Sequence, residues 1–159
     1  MAETLGSLCD KLTIVKLKQW HSEEPERLKS LTTQEKQLQD ELDKFISDAI
    51  VGNIPSERLT FASNKVFKKE GNVVADIQGD IGEVFSRLAN VNCMLWHEQE
   101  KVYEFENIPA EEKDAVVKRL AVLNLERNKC IDQIDQQFRT AIQQLHSDTQ
   151  NLLEVAKCI

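Results

Sequence analysis

The chain has 159 residues, of which 41 % are hydrophobic and 30 % charged, a balance that supports a folded core and excludes wholesale disorder. Five glycines and three prolines leave little punctuation, and aromatics at 6 % argue against a β-rich core, so long helical elements are expected. A net charge of −7 argues against nucleic acid or an anionic membrane surface as a partner.

No apolar run approaches the roughly 20 residues that cross a bilayer. The first residues, from Met1 to Trp20, have neither the basic start nor the apolar stretch of a secretory signal. A cytoplasmic protein without membrane contact is the expectation. Cys9, Cys93, Cys130 and Cys158 are far apart and form no CxxC pair. They read as small buried hydrophobes in a reducing compartment rather than as disulfides or zinc ligands.

Apolar periodicity predicts a first helix from about Thr4 to about Glu23, through Leu5, Leu8, Leu12, Val15 and Trp20. Thr4 or Ser7 caps its start, and Pro25 ends or bends it. A second helix runs from about Glu26 to about Ile50, with a packing seam at Leu31, Leu38, Leu42, Phe45 and Ala49. Gly52-Asn53 is a stop. Pro55-Ser56 opens a short helical segment through Phe67, and Gly71-Asn72 is a turn. The third helix is predicted from about Val73 to Asn107, on the three-and-four spacing of Val74, Ile77, Ile81, Val84, Leu88, Val91 and Leu95. Gly79 and Gly82 mark either a close helix approach or a later start. Ile108-Pro109 breaks the third helix, and Glu111, Glu112 and Asp114 favour a new start there.

The fourth helix runs from Ala110 to about Lys157, about 70 Å at 1.5 Å per residue. It either breaks near His146-Ser147-Asp148 or projects into a partner chain. The predicted fold is an all-α, up-and-down bundle of about four long helices plus a short helical segment. One domain covers residues 1–159, and a homodimer is expected.

A packing seam is normally apolar, so its polar members carry the information. The fourth-helix seam steps through Leu120, Leu123, Arg127, Cys130 and Ile134, with Asn124 and Asn128 beside the arginine. A buried guanidinium costs several kcal/mol unless a carboxylate or phosphate meets it. Two readings stand: a structural ion pair to a carboxylate on another helix, or a small anionic ligand. Asp135, two turns on, shares roughly the same face.

A second signal is an internal echo. Val15 to Glu24 and Val91 to Glu100 both read Val, four residues, Trp-His, two residues, Glu. This singles out Trp20, His21 and Glu24 and, later, Trp96, His97 and Glu100. His and Glu three apart share a helix face. Two such pairs make a reasonable ligand set for zinc, manganese or iron, or a general acid–base ensemble; equally they are rim histidines oriented by carboxylates. Asp10 begins the first histidine's stripe, and Asn90 and Asn92 precede the second Trp-His. His146 has no such company and reads as a surface residue.

Three blocks, Asp10-Lys11-Leu12-Thr13-Ile14 through Trp20-His21, Leu95-Trp96-His97-Glu98, and Leu123 through Asp135 with Asn124-Leu125-Glu126-Arg127-Asn128, resemble the bacterial domain-of-unknown-function family 4254. Thr13 stands where that family carries Ser, and Gln99 where it tends to carry an acid. The resemblance implies an all-helical bacterial cytosolic protein and assigns no activity. It picks out Asp10, Trp20, His21, Trp96, His97, Glu98, Asn124, Arg127, Asn128 and Asp135.

Gly-rich phosphate loops, a Gly-x-Ser-x-Gly elbow and His/Cys zinc spacing are missing from the sequence. The leading expectation is a small-ligand-binding or assembly module with Arg127 as charge anchor and the tryptophans as walls. The alternative is a metal-dependent or acid–base hydrolase of a phosphorylated small molecule. The sequence names no cofactor.

Overall fold

A computed structural model describes residues 2–62 and 74–157. Four α-helices carry the fold: α1 (Leu5–Trp20), α2 (Pro25–Ile50), α3 (Ile81–Tyr103) and α4 (Ala110–Lys157). No strand occurs among the described residues.

Each helix start follows from local chemistry. Thr4 and Ser7 cap α1 reciprocally: the Thr4 side chain accepts from the Ser7 amide, and the Ser7 side chain accepts from the Thr4 amide. Pro25 occupies the first turn of α2, where its missing N–H costs nothing. Asp80 and Glu83 form the same reciprocal cap on α3. α3 therefore starts at Ile81, eight residues later than the spacing predicted. Gly79, at φ +111°, turns the chain immediately before Asp80. Its end also comes earlier, with a 3-10 turn at Phe105–Asn107 following Tyr103.

The segment 74–80 has no regular secondary structure, yet Ile77 still enters the core. Lys129 Nζ donates to the Val74 carbonyl at 2.6 Å, and Gln137 Nε2 donates to the Gly79 carbonyl at 2.8 Å, so α4 holds this segment at two levels. The short segment opened by Pro55 is one 3-10 turn, Ser56–Arg58. Its expected continuation to Phe67 and the turn at Gly71-Asn72 involve residues 63–73, outside those described.

Contacts fix the directions. Gly6 meets Asp135 while Asp10 meets Arg127, so α1 and α4 are antiparallel. Arg87 pairs with Glu126, and Arg119 reaches Met94, so α3 and α4 are antiparallel. Thr13 lies against Asn92 and His21 against Trp96, so α1 and α3 run parallel. Phe45 packs on Phe138, and His146 Nε2 meets the Ile50 carbonyl, so α2 runs parallel to α4. This is the up-and-down bundle that the periodicity predicts.

The core comprises three clusters. Leu5, Ile77, Val84, Leu88, Cys130 and Ile134 form one cluster. Leu8, Val15, Leu31 and Leu38 form a second between α1 and α2. Ala49, Leu59 and Ile142 close the far end. Cys130 fits the expectation of a buried small hydrophobe; Cys9 is half-buried against the first cluster, and Cys93 is exposed on the outward face of α3. Cys158 lies outside the described residues.

α4 does not break near His146. That residue caps the end of α2 by bonding the Ile50 carbonyl at 2.9 Å, so it has a structural contact rather than a purely surface role. Beyond it the helix continues uncovered, with Leu152 and Val155 exposed.

Candidate functional site

The carboxylate that meets Arg127 is the chain's own Asp10. Asp10 sits on α1 and is 3 % exposed. Arg127 Nε donates to its Oδ1 at 2.7 Å, and Nη2 donates to Oδ2. This is a bidentate pair, the geometry in which a planar guanidinium binds a carboxylate best. The Asp10 hydrogen bond raises the Arg127 pKa further above its ordinary value, against the opposing effect of burial.

Asn92 of α3 joins the pair. Its Nδ2 donates to Asp10 Oδ1 at 2.9 Å and to Thr13 Oγ1 at 2.7 Å. Thr13 Oγ1 in turn donates to the Asp10 carbonyl at 2.8 Å. Three helices therefore contribute to one hydrogen-bonded group. A buried carboxylate left alone would destabilise the fold by several kcal/mol; here a cation and an amide satisfy it.

Two of its members, Asn92 and Arg127, line an open cleft of about 210 Å³. Ile14 and Leu17 line it from α1, Leu95, Trp96 and Gln99 from α3, and Asn124 and Arg127 from α4. Arg127 keeps 28 % of its side chain exposed. Asn124 is exposed and donates from Nδ2 to the Leu120 carbonyl at 3.0 Å.

Trp96 is held in place on two sides. Its Nε1 donates to Glu100 Oε1 at 2.8 Å. The His21 ring stacks on it with centroids 4.6 Å apart and planes 18° apart. His97 stands edge-on to His21 at 6.3 Å, and its Nδ1 lies 3.2 Å from Glu100 Oε2. His97, then Trp96, holds the Glu100 carboxyl below the usual carboxylate range. His21 Nδ1 donates to the Leu17 carbonyl at 2.9 Å.

The echo in the sequence thus has different outcomes in its two copies. In α3 the spacing works, and His97 meets Glu100. In the first copy α1 ends at Trp20, and Glu24 serves as the backbone N-cap of α2, exposed and off the helix. Helical spacing therefore does not apply between His21 and Glu24. Trp20 is 85 % exposed and forms no wall of the cleft. It is the first histidine and the second tryptophan that meet. Among the described residues, no three His, Cys, Asp or Glu side chains converge in a geometry that holds a metal ion.

Other expected members lie elsewhere. Glu98 pairs with Lys101 at 2.9 Å. Asn128 is half-buried and outside the cleft lining. Asp135 is buried two turns along α4, where the Gly6 amide donates to its Oδ1 at 2.6 Å. A Cβ on Gly6 would stand 2.5 Å from the Ile131 carbonyl oxygen, so only glycine permits this approach of α1 to α4. Sequence reasoning gave Asn92 too little weight and missed Thr13 and Gly6 as members of buried polar contacts. A polar residue between Val91 and the Trp-His pair was the available signal.

Burial pushes the Asp135 carboxyl up to about 6, with the Gly6 amide and the Thr4 hydroxyl opposing. Burial, then the charges of Asp135 and Asp10, also pushes the Cys9 thiol to about 11, so Cys9 is no thiolate nucleophile near neutrality. The folded state holds the Asp135 proton more tightly than the unfolded chain, whose carboxyl titrates near 3.8. Stability from this group is therefore present at acid pH and falls as pH rises from about 4 to about 6. Asp135→Asn keeps the acceptor for Gly6 and removes the ionisation. Between pH 4 and pH 7 the variant is expected to gain stability relative to the parent, by at most about 3 kcal/mol. Urea denaturation at both pH values checks this, and a constant difference contradicts it.

No family model matches the chain, and neither a curated protein nor a solved structure matches it.

Proposed function

We propose that the protein is a small-molecule-binding module whose site is the cleft above the Asp10–Arg127 pair. One observation carries the reading: a fixed indole, three aliphatic walls and several amide and guanidinium groups line one opening between three helices. Ligand sites combine apolar walls with a few placed polar groups in this way. The hydrogen bonds beneath the cleft fix its floor, so ligand binding needs little reordering of that floor. The bacterial family resembled by the three sequence blocks is consistent with this reading and supplies no ligand.

A screen of single- and fused-ring fragments by ligand-observed NMR tests it. Leu17→Phe narrows the cleft without touching the Asp10 group. Fragments that bind the parent are expected to lose affinity at least tenfold in this variant. Fragment binding unchanged by Leu17→Phe, or no binding at all, contradicts the proposal.

The assembly reading draws on a different observation, at the free end of α4. Leu145, Leu152 and Val155, at steps of seven and three, continue the helix's apolar stripe past the last covered layer. Only Asp148, Glu154 and Lys157 carry charge over 147–157, so little like-charge repulsion opposes a second copy of the helix. A homodimer through this end is expected in sedimentation, with Leu152→Glu converting it to monomer. A parent that is monomeric at 100-fold dilution steps up to about 1 mM, a range that covers weak transient interfaces, overturns this reading.

A further inference from the structure

The chemistry of the cleft narrows the ligand class, and the inference rests on the cleft being a binding site. Arg127 looks at first like an anchor for an anion. Its charge, however, is matched by Asp10 in a bidentate pair, and the two together carry no net charge. An added phosphate or carboxylate would find the guanidinium charge already matched by the buried Asp10 carboxylate behind it. What Arg127 retains for the cleft is hydrogen-bond donation, since two of its five N–H groups serve Asp10.

The amides complete a mixed edge. Both Nδ2 hydrogens of Asn92 go to Asp10 and Thr13, which leaves its carbonyl as an acceptor. Asn124 directs one Nδ2 hydrogen to Leu120 and has both a second donor and its carbonyl acceptor. Gln99 adds one more amide at the opening. The polar rim therefore offers uncharged donors and acceptors together.

The walls select shape. Ile14 and Leu17 line the cleft from α1, and Leu95 and Trp96 from α3. A ligand between them must present two apolar faces. A flat ring does so, whereas a sugar ring carries hydroxyls around its edge and offers one apolar face at best. The cleft, about 210 Å³ and open to solvent, has room for one ring system between these walls. His21 and Glu100 already hold Trp96 in a fixed stacking orientation.

We propose that the cleft binds an uncharged planar heterocycle with donors and acceptors on its edge, of nucleobase type, stacked on Trp96. The chain has two tryptophans, and Trp20 lies outside the cleft, so Trp20→Phe leaves Trp96 as the sole indole. Titrating this full-length variant with adenine, hypoxanthine, cytosine and uracil reads Trp96 emission directly. At least one base is expected to quench it saturably. Base–aromatic stacking sets the expected effect of Trp96→Leu, measured by calorimetry, at a roughly five- to 150-fold loss of affinity. Asn124→Leu, at an exposed position, is expected to weaken the same base at least fivefold and serves if Trp96→Leu fails to fold. Benzoate, inorganic phosphate and glucose form the comparison arms. Binding of any of these without a base, or base binding indifferent to Asn124→Leu, overturns the proposal. If no base binds while ring fragments still respond to Leu17→Phe, this inference falls and the binding site stands. If the fragments also fail to bind, both fall.

Discussion

The bidentate pair between Asp10 and Arg127 is the constraint on which the arrangement of α1, α3 and α4 depends. Asp10 is almost fully buried, and a carboxylate there is tolerable only with a cation and donors in place. Arg127 comes from a helix running the other way, 117 residues later, and Asn92 comes from a third helix. A one-residue rotation of any of the three, about 100° around its axis, would separate these groups. The apolar seams alone tolerate several ways of sliding, since Leu, Ile and Val substitute for one another in contact. The polar group removes that freedom and leaves an open cleft against Trp96.

Asp135 makes a useful contrast. It is as buried as Asp10, yet its hydrogen-bond donors are neutral: the Gly6 amide and the Thr4 hydroxyl. Without a cation, burial wins and the carboxyl holds its proton to about 6. Burial first, and then the charges of these two carboxylates, keep the Cys9 thiol protonated. The absence of a side chain at Gly6 lets α1 close on α4 at this level, while the longer Asp10–Arg127 contact spans the helices two turns away. One end of the α1–α4 interface is thus set by steric fit and the other by charge.

Much of this was legible in the sequence, and the part that was not has a physical reason. Three-and-four spacing gave the four helices, because burial of a stripe is a local property of each helix. Arg127 stood out because it interrupts such a stripe. Asp10 was singled out on its own stripe but not as the partner of Arg127, because pairing depends on which helix faces which. Asn92 was hidden for the same reason: it serves helices that come together only in the fold. The start of α3 was misplaced because Val74 and Ile77 keep the helical spacing while Gly79 and the Asp80–Glu83 cap cut the helix off after them. The Trp-His echo was real as chemistry only in α3. In the first copy, Pro25 and the start of α2 take Glu24 away from the helix on which the spacing argument relied.

The two ends of the molecule divide the chemistry. The aromatic and imidazole rings of His21, Trp96 and His97 gather where α1 ends, beside the cleft. The free apolar stripe of α4 lies at the opposite end, beyond Ile50 and His146. A lock in the middle that fixes helix register is what allows either end to present a defined surface. A double-mutant cycle of Asp10→Asn and Arg127→Met, read by urea denaturation of all four proteins, tests that lock most directly. The expected result is a coupling of about 2–4 kcal/mol, with the double variant far more stable than the two single losses summed. Additivity within about 0.5 kcal/mol would contradict the account.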